Sequence, residues 1–422
     1  MKAKAARLHA ANDIRIDEFE LPAIKDDEIL VKIVCDSVCM STYKMAILGT
    51  DHKRVHADVA EHPAILGHEM AGDIVEVGAK YQDKYKPGMK FTIQPAINYK
   101  GSMDSPGYSY EFCGGDATYC IIPAEVFEVD CFLEYKGEGY FDASLAEPLS
   151  CSIGAVNAMY HTKMGVYTHD MGIKAGGKMA IMAGAGPMGL GAITYVLNRD
   201  VNPAMLVVTD INDDRLARAA ELFPPEEYAK RGIDLRFVNT KDMEDPVAEL
   251  RAMTDGKGFD DVLCYAPIPA VYEQSNAILG RDGCLNFFAG PTDTQLKGAT
   301  NLYDIHYNST HIMGTTGGNT NDMIESLDLT AAGRIKPSVM VTHIGGLNVV
   351  PETVLNLPKI PGGKKLIYTH LDMPLTALTD LRSVGETTGD SRYTALADLV
   401  DAHDGLWNVE AEQYLLANFV GK

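Results

Sequence analysis

One stretch limits what this chain can fold into more than any other: KMAIMAGAGPMGLGAITYVLNRDVNPAMLVVTD, Lys178 to Asp210. It opens with a short apolar run, Met179 to Ala183, which predicts a buried strand. Gly184-Ala185-Gly186-Pro187-Met188-Gly189 comes next and fits G-x-G-x-x-G. A helix is predicted from about Pro187 to Leu197, and a second apolar run, Met205 to Thr209, ends on Asp210. Each part suits a dinucleotide. Gly184 permits a tight strand-to-helix turn, Gly186 lets a pyrophosphate approach the backbone, and Gly189 lets the helix pack close to the strand. The helix N-terminus, with Pro187 and Met188 in its first turn, offers free N–H groups to phosphates. Asp210 lies roughly twenty residues past the turn, where a carboxylate can accept both ribose hydroxyls. Met179 to Leu197 also carries no charge over a length that could cross a membrane, but its glycines and proline make a poor lipid-facing helix.

The chain has 422 residues, enough for two or three domains, and 46% hydrophobic residues, enough for sizeable cores. Its net charge of −21 argues against nucleic acid or an anionic membrane as a partner. An anionic substrate would need positive charge supplied locally. The first residues, MKAKAARLHAANDIRIDEFELP, contain no apolar signal region, so a cytoplasmic location is expected. Eight cysteines (35, 39, 113, 120, 131, 151, 264 and 284) are scattered without a disulfide framework, which suits a reducing compartment.

Residues 1 to about 34 alternate in short runs such as Ile14 to Phe19 and Glu28 to Val34, predicting an antiparallel sheet. Then come VCDSVCMSTYKM, a polar His-rich loop (Gly49 to His62) and GHEMAGDIVEVG (Gly67 to Gly78). The last of these matches G-H-E-x-x-G-x-x-x-x-x-G. With a cysteine about thirty residues upstream and the glycine turn and Asp210 downstream, the chain up to about Leu371 resembles the medium-chain zinc-dependent alcohol and polyol dehydrogenases. The resemblance implies an α/β protein with a GroES-like, mostly antiparallel β catalytic domain and a Rossmann domain with a doubly wound parallel sheet. The expected catalytic domain is 1–155 with 317–422, of which 372–422 is a C-terminal extension. The expected cofactor domain is 156–316.

Zinc favours thiolate, imidazole and carboxylate, and a catalytic site keeps one position open. The family register puts Cys39 and His68 at the ligands and leaves Cys35 in a strand core. Ala146-Glu147-Pro148-Leu149 resembles the E-P-L segment that carries a third ligand position in the polyol branch, so Glu147 is the expected third ligand. Glu69 either ligates directly or sits just behind the metal. Ser41 matches the family hydroxyl that passes the substrate proton outward. Two departures stand out. Thr42 replaces an acid that orients the metal's histidine, and Lys44 replaces the outer histidine of the relay. The Gly- and Tyr-rich lobe from Pro95 to Cys120 holds only Cys113 and Cys120, so one catalytic ion and no structural zinc are expected. Gly114 to Tyr119 resembles the family's G-G-x-A-x-Y strand start.

The implied activity is hydride transfer between a nicotinamide and a polyol or sugar. Asp210 would bind the NAD diol and repel the NADP phosphate; Arg215, five residues on, leaves NADP open. His52, Lys53, Arg54 and His56 form either a solvated basic face or a site for a substrate phosphate, with Lys53 and Arg54 the candidates. The long tail and missing structural zinc resemble the sorbose-1-phosphate reductase branch. A homodimer or homotetramer is implied. A zinc-free quinone or enone reductase of the same superfamily, and a non-catalytic NAD-binding protein, are the alternatives. Neither requires the Cys39, His68 and Glu147 set.

Beyond Asp210, strands are predicted at Leu235–Asn239, Asp261–Tyr265, Cys284–Ala289 and His311–Thr315, with helices at Asp245–Met253 and Ala270–Leu279. Phe223 to Gly232 reads as a loop. Thr316-Gly317-Gly318 reads as the return turn, Met323 to Ala332 as a helix, and Met340–Ile344 and Lys365–Thr369 as strands. The tail predicts helices at Ser391–Asp404 and Val409–Leu416, as a cap, a subunit contact or a solvated appendage.

Overall fold

The structure, a computed structural model, describes residues 1–163 and 165–419. Contacts divide it into two compact units, Met1–Glu147 with Val341–Lys422, and Pro148–Met340.

The first unit is built on mostly antiparallel β structure. Its larger sheet contains Ile29–Ser37, the central strand, which pairs on one side with Lys364–Tyr368 and on the other with Ala71–Val77. Ile29, Val31 and Ile33 on the central strand are fully buried, and with Phe91, Ile93 and Phe132 they form one apolar cluster. The close strand approach demands glycine at Gly72, where a Cβ would lie 1.9 Å from the Lys32 carbonyl oxygen. A smaller sheet orders Asp13–Glu20, Lys2–Ala10 and Ala64–Ile65. Helix Met40–Leu48 packs its Met45 and Ala46 into a second cluster with Leu347, Val350 and Val354.

The second unit holds a six-stranded parallel sheet ordered Asp234–Asn239, Met205–Asp210, Lys178–Met182, Phe259–Cys264, Leu279–Phe287 and His311–Met313. The strand order reverses beside Lys178–Met182, the strand that feeds the glycine-rich turn, and this is where a doubly wound sheet opens a crevice. Met205–Asp210 is buried at every residue, which explains its unbroken apolar run.

Several local expectations change. The presumed loop Phe223–Gly232 contains helix Pro225–Ala229, because Pro225 at the first helical position loses no hydrogen bond the helix needs. Leu279 begins a strand instead of ending a helix. A hairpin, Tyr160–Lys163 with Val166–Met171, and a helix, Leu302–Asn308, had no clear periodic signal.

The extension is folded onto the first unit. Thr376–Ala377 adds an antiparallel strand beside Val341–Gly346, and helices Leu381–Thr388, Ser391–Asp401 and Val409–Phe419 come after it. Trp407 is only 1% exposed, which rules out the solvated appendage.

Candidate active site

Cys39 lies just past the central strand and occupies the N-cap of helix Met40–Leu48 in extended conformation. His68 and Glu69 come directly after Gly67, whose φ is 84°. A side chain at Gly67 would also meet the Asp116 backbone nitrogen at 2.5 Å, so the turn that aims these two residues inward needs glycine. Cys39, His68 and Glu69 offer donor atoms that all lie within 4.8 Å of one another. Glu147, on helix Tyr140–Ala158, is buried nearby. Burial pushes its carboxyl up to about 7, against the downward pull of His68 and with Glu69 and Cys39 adding to the rise.

Glu69 has partners that its sequence position did not disclose. Lys364, 5% exposed, donates to both of its carboxylate oxygens, at 2.6 Å to Oε2, and Ser37 donates to Oε2 as well. Burial lowers the Lys364 pKa, but Glu69 and Cys39 more than reverse this and hold the ammonium charged. Asp36 and Asp116 are also buried, and among the described residues Asp116 Oδ1 has no hydrogen-bond partner. The ammonium that faces this acidic donor set is that of Lys364. Such a pocket suits a divalent cation, which neutralises buried acids that would otherwise be costly.

The hydroxyl groups are arranged around His68. Ser41 Oγ donates to Cys39 Sγ at 3.0 Å and lies 3.3 Å from His68 Nε2. Thr42 Oγ1 is 3.4 Å from His68 Nδ1, so the residue standing in place of the usual acid is itself the contact on the ring's other nitrogen. Tyr108 belongs to no motif. Its hydroxyl donates to Ser41 Oγ at 2.8 Å and lies 3.3 Å from His68 Nε2. Only its place in the Tyr-rich lobe hinted at a role.

The basic loop converges on the same tyrosine. His52 stacks on the Tyr108 ring with centroids 5.8 Å apart, and the Arg54 guanidinium lies 5.4 Å from the ring centroid. Ser109 Oγ donates to the Arg54 carbonyl at 2.7 Å, and Arg54 donates to the Met103 carbonyl at 3.3 Å. His56 pairs with Asp104 and His62 with Glu111. Arg54 has no ion pair among the described residues, while Lys53 is exposed. Cys113 and Cys120 lie in the apolar cluster of the first unit, and Cys35 is buried opposite Tyr368 in the sheet.

In the second unit the glycines of the turn have separate causes. The left-handed residue is Ala183, at φ 55°, and not Gly184. Gly184 is needed for packing, since a Cβ there would lie 2.5 Å from Ile181 Cγ2. At Gly189 a Cβ would lie 2.0 Å from the Gly184 carbonyl oxygen. At Gly186 it would meet nothing within 4 Å, so the space above the turn is open. Pro187 starts helix Pro187–Asn198, and the Met188 carbonyl accepts from Ser152 Oγ at 3.1 Å. Asp210 Oδ1 accepts from the Ile211 and Asn212 amides at 2.8 and 3.2 Å, and Oδ2 from the Ala185 amide at 3.3 Å. This fixes the carboxylate beside the turn. Arg215 is exposed in the first turn of helix Asp213–Leu222.

Residues 25–130 match the family described as alcohol dehydrogenase GroES-like domain, and residues 187–332 match the zinc-binding dehydrogenase family. Mannitol-1-phosphate 5-dehydrogenase of Aliivibrio fischeri is 52% identical over 98% of this chain and 97% of its own. L-sorbose 1-phosphate reductase of Klebsiella pneumoniae is 44% identical over 98% of this chain and 97% of its own. Among solved structures, 2R,3R-butanediol dehydrogenase of Bacillus subtilis shares the fold. Its TM-score is 0.69 at 23% identity, over 87% of this chain and 99% of that one.

Proposed function

Since this chain belongs to the zinc-binding medium-chain dehydrogenases, we propose that it interconverts a sugar phosphate and a polyol phosphate with a nicotinamide cofactor, NAD in preference to NADP. In this reading Met1–Glu147 with Val341–Lys422 is the catalytic domain, and Pro148–Met340 binds the dinucleotide. Cys39, His68 and Glu147 would hold one zinc ion, which would supply Lewis-acid chemistry at a substrate oxygen, and the nicotinamide would supply the hydride chemistry. Glu69 stands behind these ligands, because Lys364 and Ser37 already engage its oxygens. Thr42 Oγ1 steadies the His68 ring at Nδ1. Ser41 Oγ would accept the hydroxyl proton of the substrate while releasing its own toward solvent, and the Tyr108 hydroxyl holds Ser41 in place.

The observation that carries the choice of a phosphorylated substrate is Arg54, a guanidinium without an acidic partner among the described residues, on the tyrosine whose other end reaches His68. A guanidinium binds phosphate in two-pronged fashion, and the bond of Arg54 to the Met103 carbonyl occupies a single nitrogen of the fork. Asp210 supports NAD, because its carboxylate would repel a ribose 2′-phosphate.

The test is kcat/KM for sugar phosphates and their dephosphorylated forms, with NAD(H) and NADP(H). The phosphorylated form is expected to be favoured by at least about tenfold, the value of one charge-assisted hydrogen bond. Arg54→Gln should remove most of that preference through KM. Equal efficiency on both forms in the wild type rejects the phosphate reading.

A further inference from the structure

We propose that the C-terminal extension positions the metal site, with Glu412 as the residue that fixes helix Tyr140–Ala158 and, through it, Glu147. The proposal rests on the reading of Glu147 as a zinc ligand.

Helix Tyr140–Ala158 brings Glu147 into the pocket, but Pro148 comes immediately after it. A proline donates no backbone hydrogen bond and crowds the preceding turn. The hydrogen bond from residue 148 back to the Ser144 carbonyl is therefore missing, and contacts from outside the helix help to set where its first two turns lie.

Two contacts in the first unit do so. Ser144 Oγ donates to the Glu69 carbonyl at 2.6 Å. At the start of the helix stands Glu412, from helix Val409–Phe419. It is 1% exposed, and its carboxylate accepts from the Tyr140 and Phe141 amides at 2.6 and 2.9 Å. These are the first two residues of the helix, whose N–H groups have no partner within it. Once ionised, a carboxylate there also complements the helix dipole. Glu147 lies seven residues past Tyr140, about 10 Å along the axis at 1.5 Å per residue.

The same carboxylate reaches a second element of the site. Tyr368 donates to Glu412 Oε1 at 2.8 Å, and Trp407 Nε1 donates to the Tyr368 hydroxyl at 2.7 Å. Tyr368 ends strand Lys364–Tyr368, whose first residue is the partner of Glu69. Glu412 thus joins the helix bearing Glu147 to the strand that neutralises Glu69. Both links come from a segment that lies past the family-like part of the chain.

The test compares wild type, Glu412→Gln, Tyr368→Phe and Glu147→Gln as full-length holoenzymes. Three quantities are read: zinc affinity by chelator competition, the visible ligand-field spectrum after cobalt substitution, and the urea unfolding midpoint. Outer partners of metal sites typically change affinity about 10–100-fold when removed. Glu412→Gln is expected to weaken zinc binding about tenfold, at the low end of that range, and to alter the cobalt spectrum in the same sense as Glu147→Gln, to a smaller extent. Tyr368→Phe, which removes a single donor, should do the same more weakly and decides the matter should Glu412→Gln fail to fold. A lower unfolding midpoint with unchanged zinc affinity and cobalt spectrum would mean a merely structural tail and overturns the proposal. A cobalt spectrum that Glu147→Gln leaves unchanged removes the ligand reading itself, a different failure that is recognised without reference to Glu412.

Discussion

Lys364 is a lysine with almost no access to water, and what keeps it charged is Glu69 across 295 positions of chain. Removing either partner leaves a buried charge uncompensated, which typically costs about 3–5 kcal/mol. Lys364→Met should therefore destabilise the protein by about that amount, as read from urea unfolding at saturating zinc. A loss below about 1 kcal/mol would mean that Glu69 is neutralised in another way. At this scale, Cys39, His68, Glu69 and Ser41 could be singled out as candidates from short motifs and the family resemblance those motifs carry. Lys364 and Tyr108 could not. A lysine before an apolar strand and a tyrosine in a Gly-rich lobe are each compatible with many surroundings, and only long-range packing selects one. Thr42 stands out in the sequence as a missing acid, yet its contact with His68 Nδ1 is a matter of side-chain direction.

The glycine-rich turn is the element whose sequence and geometry correspond most closely. The strand, the helix starting at Pro187 and the acid ending the next strand all lie where period and motif put them. The source of backbone strain did not follow from the motif, since the left-handed residue is Ala183. Gly189 is the point of closest approach. With 2.0 Å between a new Cβ and the Gly184 carbonyl, Gly189→Ala cannot be absorbed without moving the helix away from the turn. Overpacking of this kind costs about 1–3 kcal/mol. The expected outcome is a loss in that range by denaturant unfolding, with NADH affinity weakened at least about tenfold in fluorescence titration as the helix N-terminus leaves its place. Unchanged NADH affinity would detach the turn from cofactor binding. Elements without such a marker are less legible. Helix Pro225–Ala229 hides behind two prolines, and hairpin Tyr160–Lys163/Val166–Met171 carries no alternation that marks a buried face, since its second strand is exposed throughout.

For the molecule as a whole, the tail is expected to make stability depend on pH. Burial raises the Glu412 carboxyl to about 7 in spite of its three donors, and burial together with Glu412 raises Asp142 to about 8. In the unfolded chain these groups titrate near 4.5 and 3.8. Between those values and pH 7–8 the folded protein holds protons that the unfolded chain has released. Their contribution is therefore complete at low pH and falls as pH rises through the window. Measured at saturating zinc, the thermal midpoint of wild type relative to Glu412→Gln should decline from about pH 5 to about pH 8. A difference that grows with pH over that range would reverse the sign and refute the assignment.

What the sequence determined alone was whatever depends on local order. Alternating and continuous apolar runs set strands and sheet class, and short motifs pointed to Cys39, Ser41, His68 and the glycine-rich turn as candidates. Tertiary structure decided which charges face one another. Lys364 against Glu69, Arg54 over Tyr108, and Glu412 on the helix before Glu147 are pairings between distant segments, up to 295 residues apart. No local pattern encodes them, because desolvation and direct contact arise only once the chain has closed on itself.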